Sequence, residues 1–353
     1  MSLPLRWTLA VSVLVVAALF WPRAPRGDLL EDLGSPWRPT AMEAATRIQA
    51  MGPEAWPVLR RGLSHPSPRV RARSLRFAAV IGEQVDADAI AACLRDPEQD
   101  VRIQAAMALK SARGWSDPTP LIETLADKKQ PDNLRVDLIE ALGKRRTQEA
   151  TAAVVRILND HRESVHLRAA AAGTLGCIGG PPEAALLSRT ILSRGEPLRV
   201  RRSAASALGC RPASPESATL LKVLKDPTQD GRTRSVAITS LGRQGYRPAA
   251  PFLTEIAADE KTPLLVRVNA ATALGRMGIE VPHAFAAAAL TDRDEHVRRS
   301  AADLVAVLRD QDLAGDVDRA MAREADCETR CDLERAARLL KAQRDAEFSE
   351  GEE

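Results

Sequence analysis

A short block of residues recurs along the chain at a nearly constant interval. Each block contains an arginine with apolar residues at −1, +3, +4 and +7, as in Val101-Arg102 through Leu109. The block arginines are Arg71, Arg102, Arg135, Arg168, Arg201, Arg234, Arg267 and Arg298, spaced 31 or 33 residues apart. That apolar spacing lies on one face of a helix. Length alone would suggest two unrelated domains, but a sustained period indicates one array of repeats.

A second amphipathic stretch precedes each block, so each repeat is predicted to be a helical hairpin. This stretch ends at an acid that begins the turn between the two helices. The turn acids are Asp96, Asp127, Asp160, Asp226, Asp259 and Asp292, and Ser193 stands at the corresponding place in one repeat. Five blocks have glycine at +8, and we expect these glycines to supply the left-handed cap that ends the helix.

The block V-R-x-x-A-A-x-A-L-G, following a D-P turn, resembles the HEAT-like repeat in its short bacterial form, which is shared with phycobilisome bilin-lyase proteins. The resemblance covers about residues 40–340. It implies an all-α, right-handed α-α superhelix of the HEAT/armadillo solenoid type. About eight hairpins with end caps would occupy residues 40–344, followed by an acidic disordered tail at 345–353. The resemblance also implies that the second helix of each hairpin lines a concave face and the first helix a convex one.

The repeated charges are interpreted as structural, because a charge that recurs in every repeat serves the repeat. The set comprises Arg102, Arg135, Arg168, Arg201, Arg234 and Arg267 with Asp96, Asp127, Asp160, Asp226, Asp259 and Asp292. Each arginine is expected to bind the turn acid of its own or the neighbouring hairpin, or the last carbonyls of the preceding helix. Ser193 should then remove one charge-assisted bond from its junction.

The segment before the array predicts a membrane anchor. Residues 7–21 carry no charge, and tryptophans stand at both ends of this run. We expect a short tail at 1–6, a transmembrane signal anchor at 7–22 and a linker at 23–39. A short tail followed by a large domain favours a single-pass protein with its array outside the cytoplasm, in the periplasm. Secretion after cleavage of a signal peptide is the alternative.

Other classes of function find little support. The five histidines form no i,i+4 pair or His-Glu dipeptide, and no Gly-rich phosphate loop or Gly-x-Ser-x-Gly motif occurs. We therefore predict no catalytic residue, no metal, no cofactor and no small-molecule substrate. The net charge of +3 comes wholly from arginines before Asp28, which argues against nucleic acid as a partner. A bilin-lyase-like enzyme and a nucleic-acid-binding HEAT-like protein remain the alternatives, and disulfides Cys177–Cys210 and Cys327–Cys331 are left open.

Partner binding is expected on the concave face, at +1, +2, +5 and +6 from each block arginine. The predicted contact residues are Arg202, Ser203, Ser206, Ser235, Thr239, Asn269, Thr272, Arg299 and Asp303. Charges gather toward the ends, as at Arg73 and Arg76, and are expected to set the orientation of a partner. Small residues there permit tight helix packing, or they form a smooth groove for a helix or extended peptide. The sequence as a whole predicts a non-catalytic, membrane-anchored scaffold or adaptor for protein partners.

Overall fold

The structure is a computed structural model that describes residues 28–112 and 114–350, and over these residues it consists of helices and connecting turns. The helices are α1 (Leu29–Gly34), α2 (Arg38–Met51), α3 (Trp56–Gly62), α4 (Pro68–Ile81), α5 (Ala87–Ala92), α6 (Gln99–Leu109), α7 (Thr119–Ala126), α8 (Asp132–Lys144), α9 (Thr151–Asn159), α10 (Val165–Ile178), α11 (Pro181–Leu192), α12 (Leu198–Gly209), α13 (Ser217–Lys225), α14 (Gly231–Gln244), α15 (Ala250–Ala258), α16 (Leu264–Arg276), α17 (His283–Ala289), α18 (Glu295–Leu308), α19 (Ala314–Arg323) and α20 (Cys327–Glu350).

The predicted anchor, residues 7–22, lies outside the described residues, as do the tail at 1–6 and the first part of the linker. None of the helices within 28–112 and 114–350 combines the length and the apolar character needed to cross a bilayer.

The described residues form two compact units, which divide after Leu121. In the first, α1 packs against both α2 and α4, and Leu33, Ile48 and Leu59 lie in one buried cluster. The predicted linker at 23–39 is therefore wrong from residue 29 onward. Leu30 and Leu33 bury the apolar face of a short helix, and Asp28 caps it by accepting the N–H of Leu30 at 3.1 Å.

In the second unit, the second helices of successive hairpins pack directly on one another. These helices are α8, α10, α12, α14, α16, α18 and α20. First helices such as α9 and α11 pack mainly against the second helix of their own hairpin. Leucine at +7 is buried at Leu142, Leu175 and Leu208, as the periodicity predicts. The second helices are thus the closely spaced layer, and the predicted all-α hairpin repeat is confirmed.

The glycines at +8 are not left-handed caps, so that expectation was wrong. Gly176, Gly209 and Gly242 are absent from the glycines with positive φ. A Cβ added at these three positions would lie only 2.6–2.8 Å from the Cα of Ala207, Ser240 and Ala273, respectively. Glycine is required here because the next second helix passes too close for any side chain.

In four repeats of the second unit a left-handed residue comes three residues later, at +11 from the arginine. Positive φ occurs at Arg146, Gly245, Gly278 and Arg309. The second helices α8, α10, α12, α14 and α16 therefore extend one to three residues past the leucine at +7, where the glycine pattern predicted that they end. At the end of the array, α20 likewise continues to Glu350, so the predicted disordered tail at 345–353 is helical as far as residue 350.

Candidate protein-binding surface

The block arginines are buried and hold neighbouring hairpins together. Arg135 is only 2% exposed. Its Nε donates to the Leu125 carbonyl at 2.9 Å, at the end of the preceding helix, and its two Nη atoms donate to Glu163 at 2.7 and 2.8 Å. These bonds satisfy an otherwise unpaired helix-terminal carbonyl and pair a buried charge in one step.

The same arrangement recurs one and two repeats later. Arg168 donates to the Leu158 carbonyl at 2.9 Å and to Glu196 at 2.7 Å. Arg201 donates to the Ile191 carbonyl at 2.9 Å and to Gln229 Oε1 at 2.5 Å. Arg234 and Arg267 keep the carbonyl bond, to Leu224 at 3.3 Å and Ala257 at 3.0 Å. The predicted bond to the preceding helix is therefore present in all five of these repeats. In each of them the turn acid, or Ser193, stands eight residues before the arginine.

Three repeats have the shorter turn, and there the arginine binds carbonyls of that turn instead. Arg102 donates to the carbonyls of Asp96 and Pro97 at 2.8 and 2.9 Å. Arg71 and Arg298 do the same in their own turns. Arg298 also forms a bidentate pair with Glu324, at 2.7 and 2.9 Å.

For Arg135, Arg168 and Arg201, the side-chain partner is not the predicted turn acid. Among the pairs described above, the partner lies three residues after the turn acid, at Glu163 and Gln229, or after Ser193 at Glu196. Two pairs differ: Arg71 forms a bidentate pair with Asp96 at 2.7 and 2.9 Å, and Arg298 pairs with Glu324, which directly follows α19. Because the Ser193 repeat keeps the Arg168–Glu196 pair, the expected loss of a charge-assisted bond there was wrong.

The turn acids instead organise their own turns. Each accepts a hydrogen bond from the N–H two residues later, at about 3 Å, and so forms an Asx-turn. The acids that do this are Asp96, Asp127, Asp160, Asp226, Asp259 and Asp292. Hydrogen bonds from the side chains of Thr228 and Gln229 hold the pKa of Asp226 at about 2.

The solvent-facing row of the second helices is shifted from the predicted one. Positions at +6 are buried between helices, where Thr174 Oγ1 donates to the Ile139 carbonyl at 3.2 Å and Ser240 Oγ to the Ala205 carbonyl at 3.0 Å. Positions at +2 and +5 reach solvent, apart from the buried Thr272, and so does a row at +9 that the sequence did not identify. The +9 residues of the second unit include Lys144, Cys177, Cys210, Arg243 and Arg276, all exposed. The +9 residues follow +2 and +5 at helical spacing, so the sequence contained a signal for this row. It was missed because each second helix was expected to end at the +8 glycine.

Arg202 is not the free charge that the sequence suggested. It donates to Asp230 Oδ1 at 2.5 Å and to Thr233 Oγ1 at 3.2 Å, in the next hairpin. Asp230 also caps α14 by accepting the N–H of Thr233 at 3.0 Å. Burial alone would raise the pKa of Asp230, but the hydrogen bonds from Thr233 and Arg202 hold it at about 2. Arg202 is therefore a junction residue.

The other charged positions on the predicted surface are paired at the end of the array. Arg299 lies 3.6 Å from both Asp326 and Asp332 and also pairs with Glu328. Asp303 accepts from Arg335 at 2.6 Å. These charges neutralise one another between α18 and α20.

The polar positions of the predicted surface divide into two groups. Thr272 is buried and donates to the Val268 carbonyl at 2.8 Å, so it is a packing residue. Ser235 and Thr239 are half-buried and bond carbonyls of their own helix. Ser203, Ser206 and Asn269 are half-buried and remain the most available hydrogen-bonding groups of the set.

The cysteines are thiols in this structure. Cys327 is the first residue of α20, so Cys327 and Cys331 lie one turn apart on a single helix. Cys93 is buried, and burial, reinforced by Asp96, raises the pKa of its thiol to about 11. Over 28–112 and 114–350, no group of three or more His, Cys, Asp or Glu side chains is placed to hold a metal ion.

Comparison with known proteins identifies the repeat. A family model described as HEAT repeats matches residues 28–110, 118–209 and 217–306. A crystal structure of importin beta is similar to this chain, with 12% identity and a TM-score of 0.54, over 88% of this chain and 51% of that one. The chain thus spans about half of importin beta, and at this identity the likeness shows the fold alone.

Two further solved structures align over nearly their whole length. An engineered protein shares 16% identity, with a TM-score of 0.43 over 89% of this chain and 99% of that one. Human deoxyhypusine hydroxylase shares 18% identity, with a TM-score of 0.33 over 83% of this chain and 98% of that one. A comparison with curated proteins finds no significant match.

Proposed function

We propose that this chain, which belongs to the HEAT-repeat family, is a non-catalytic scaffold or adaptor that binds protein partners. The proposal rests on a difference between two sets of polar residues: the block arginines and turn acids are bonded within the array, whereas polar residues at +2 and +5 reach solvent. The recurring arginines and turn acids form hydrogen bonds and ion pairs within and between hairpins, as in the Arg135–Glu163 pair. On α12, α14 and α16, by contrast, several +2 and +5 positions reach solvent with small hydrogen-bonding side chains, namely Ser203, Ser206, Thr239 and Asn269.

Such a row suits a protein chain better than a small molecule. The three successive second helices α12, α14 and α16 present hydroxyl or amide groups, so an extended segment or a helix can bond to several repeats at once. Solenoid repeats commonly bind partners along extended surfaces of this kind. The partner would gain affinity from many modest contacts.

The proposal is tested by identifying a partner and then blocking the row. Crosslinking in native membranes followed by mass spectrometry names the partner. Thr239→Glu places a charge on the row, and we expect it to abolish co-purification. Thr254→Glu is the matched control, because Thr254 lies on first helix α15 and bonds its own i−4 carbonyl at 3.0 Å, as Thr239 does at 3.1 Å. Equal loss in the two variants, or no loss in either, would contradict binding along this row.

The second part of the proposal is a membrane tether at residues 7–22 with the array in the periplasm. It is supported by the uncharged run at 7–21 and by the tryptophans at both ends of this run. A reporter fused after Glu353 tests the orientation, and activity of a cytoplasm-specific reporter would refute it. The mass of the mature protein separates a retained anchor from a cleaved signal peptide.

A further inference from the structure

The first unit has a basic stripe on α4. Arg69, Arg73, Arg76 and Val80 follow one another on α4 at helical spacing, so they share one face. Arg69 and Arg76 are exposed, and Arg73 is half-buried. At the positions of Arg73 and Arg76, the α12 repeat has Ser203 and Ser206.

These three charges are not neutralised within the described part of the chain. Arg73 donates to two carbonyls at the end of α1, that of Leu33 and, at 3.2 Å, that of Ser35. Burial lowers the pKa of Arg73, and the neighbouring charges of Arg69 and Arg76 lower it further. Over 28–112 and 114–350, none of the three arginines is ion-paired with a carboxylate. By contrast, Arg202 in the second unit is ion-paired with Asp230.

The stripe forms one wall of a cleft between α4 and α6. The cleft has a volume of about 450 Å³, and Arg69, Arg73 and Arg76 line it on the α4 side. Glu98, Asp100 and Gln104 line the opposite side. Val80 and Met107, which are 71% and 45% exposed, continue the exposed faces of α4 and α6 beyond the cleft.

We propose that this cleft binds an acidic protein segment that carries an apolar side chain. Carboxylates of the segment would lie against the α4 arginines, and its apolar side chain would cover Val80 and Met107. The inference rests on the proposed scaffold function and specifies the class of partner and the place where it binds. Opposite charges on the partner would also accelerate association.

The two walls favour a protein segment over a uniformly anionic ligand. Glu98 and Asp100 face the arginines across the cleft, so a phospholipid surface or a nucleic-acid backbone would be repelled by one wall. A protein segment avoids this repulsion, because it can present carboxylates to α4 and neutral or basic groups to α6. The cleft residues also include no aromatic ring on which a base could stack.

The test is a binding titration with the full chain and a labelled acidic peptide. The probe is a synthetic peptide with the sequence of residues 345–353, which has five acidic side chains and one Phe. We expect fluorescence anisotropy to detect binding that weakens with added salt. Replacing the five acidic residues of the peptide by amides should abolish it.

Charge reversal locates the site. The double variant Arg69→Glu/Arg76→Glu should weaken binding at least tenfold. The control, Arg199→Glu/Arg232→Glu, makes the same charge change at two exposed positions of the second unit and should alter affinity less than twofold. Both variants change exposed side chains, and circular dichroism checks that each is folded.

Three results would overturn the proposal. They are no binding of the acidic peptide, equal weakening in the two double variants, or tighter binding of phosphatidylglycerol vesicles or single-stranded DNA than of the peptide at the same arginines. The titration needs no cellular partner, so its failure is distinguishable from failure of the scaffold proposal, which the Thr239→Glu co-purification tests.

Discussion

Glu163 shows how strongly one side chain binds two repeats together. It accepts two hydrogen bonds from Arg135, and the side chains of Arg135 and Glu163 are only 3% and 9% exposed. Removing one partner of a buried pair leaves the other charge without compensation, which costs more than the pair itself contributes.

We therefore expect Glu163→Ala to lower the free energy of unfolding by about 3 kcal/mol. Glu163→Gln should cost only about 1 kcal/mol, because an amide oxygen still accepts from the guanidinium. The chain already contains that arrangement at Arg201 and Gln229, 2.5 Å apart. Urea denaturation followed by circular dichroism measures both values, and equal losses would show that burial of the Arg135 charge is not the cause.

Cys93 offers a second residue-scale prediction, on reactivity. The thiolate is the species that reacts with iodoacetamide, and a pKa of about 11 keeps the Cys93 thiol protonated at pH 8. The other four cysteines are exposed. After reduction, the native protein should rapidly gain four carbamidomethyl groups by intact mass and the fifth only in urea. Rapid addition of five groups under native conditions would contradict the buried position.

At the scale of helices, the glycines of α10 and α12 differ in how closely another helix approaches them. A Cβ at Gly209 would lie 2.6 Å from the Cα of Ser240 on the next second helix, whereas a Cβ at Gly173 would meet nothing within 4 Å. We expect Gly209→Ala to destabilise the protein by about 1–3 kcal/mol, because two helices must move apart. Gly173→Ala should stabilise it by up to about 1 kcal/mol through helix propensity. Thermal denaturation compares the two, and effects of the same sign would contradict this account.

The helices were predictable because their period is carried by the chain itself. Apolar residues at −1, +3, +4 and +7 locate each second helix without knowledge of its neighbours. The role of Gly209 was not predictable in the same way, since glycine permits both a left-handed turn and a close approach. Only the position of Ser240 on the next helix decides between them. The short helix α1 was missed because Gly34-Ser35-Pro36 resembles a linker, although Leu30 and Leu33 already mark one apolar face.

The binding surface was less predictable than the fold, for a related reason. Arg202 looked like an isolated charge, but its partner Asp230 lies 28 residues later and comes close only when hairpins stack. The roles of Asp160 and Asp226 were misassigned because each accepts an N–H two residues away, from Arg162 at 3.0 Å and from Thr228 at 2.9 Å, respectively. A pairing rule that spans two repeats is visible only after the repeats are packed.

For the molecule as a whole, neutrality after residue 27 conceals an uneven distribution of charge. In the second unit, Arg202 and Arg299 pair with acids of the following helices. In the first unit, Arg69 and Arg76 on α4 have no such partner among the described residues. We therefore expect a partner to bind at α4, because Arg69 and Arg76 form no ion pair that would stabilise the packing of the described repeats.

The second unit is expected to unfold as a series of hairpins whose stabilities are coupled through their junctions. Each second helix there packs on its neighbours in the array, so stability approximates a sum of hairpin terms and junction terms. A destabilising substitution at one central junction should let the repeats before and after it unfold independently. A destabilising substitution at the end of the array should lower the stability of the last helix only. Gly209→Val, which damages the α12–α14 junction, and Leu340→Ala, in the buried face of α20, represent the two cases.

Hydrogen–deuterium exchange across a urea series reads each segment separately. In Gly209→Val, peptides from residues 132–209 and 217–350 should lose protection at different urea concentrations. In Leu340→Ala, peptides from α20 should lose protection first, while those from residues 132–308 keep one common midpoint. If Gly209→Val instead shifts every helix of the unit by the same amount, the junctions are too strongly coupled for nearest-neighbour stability to hold.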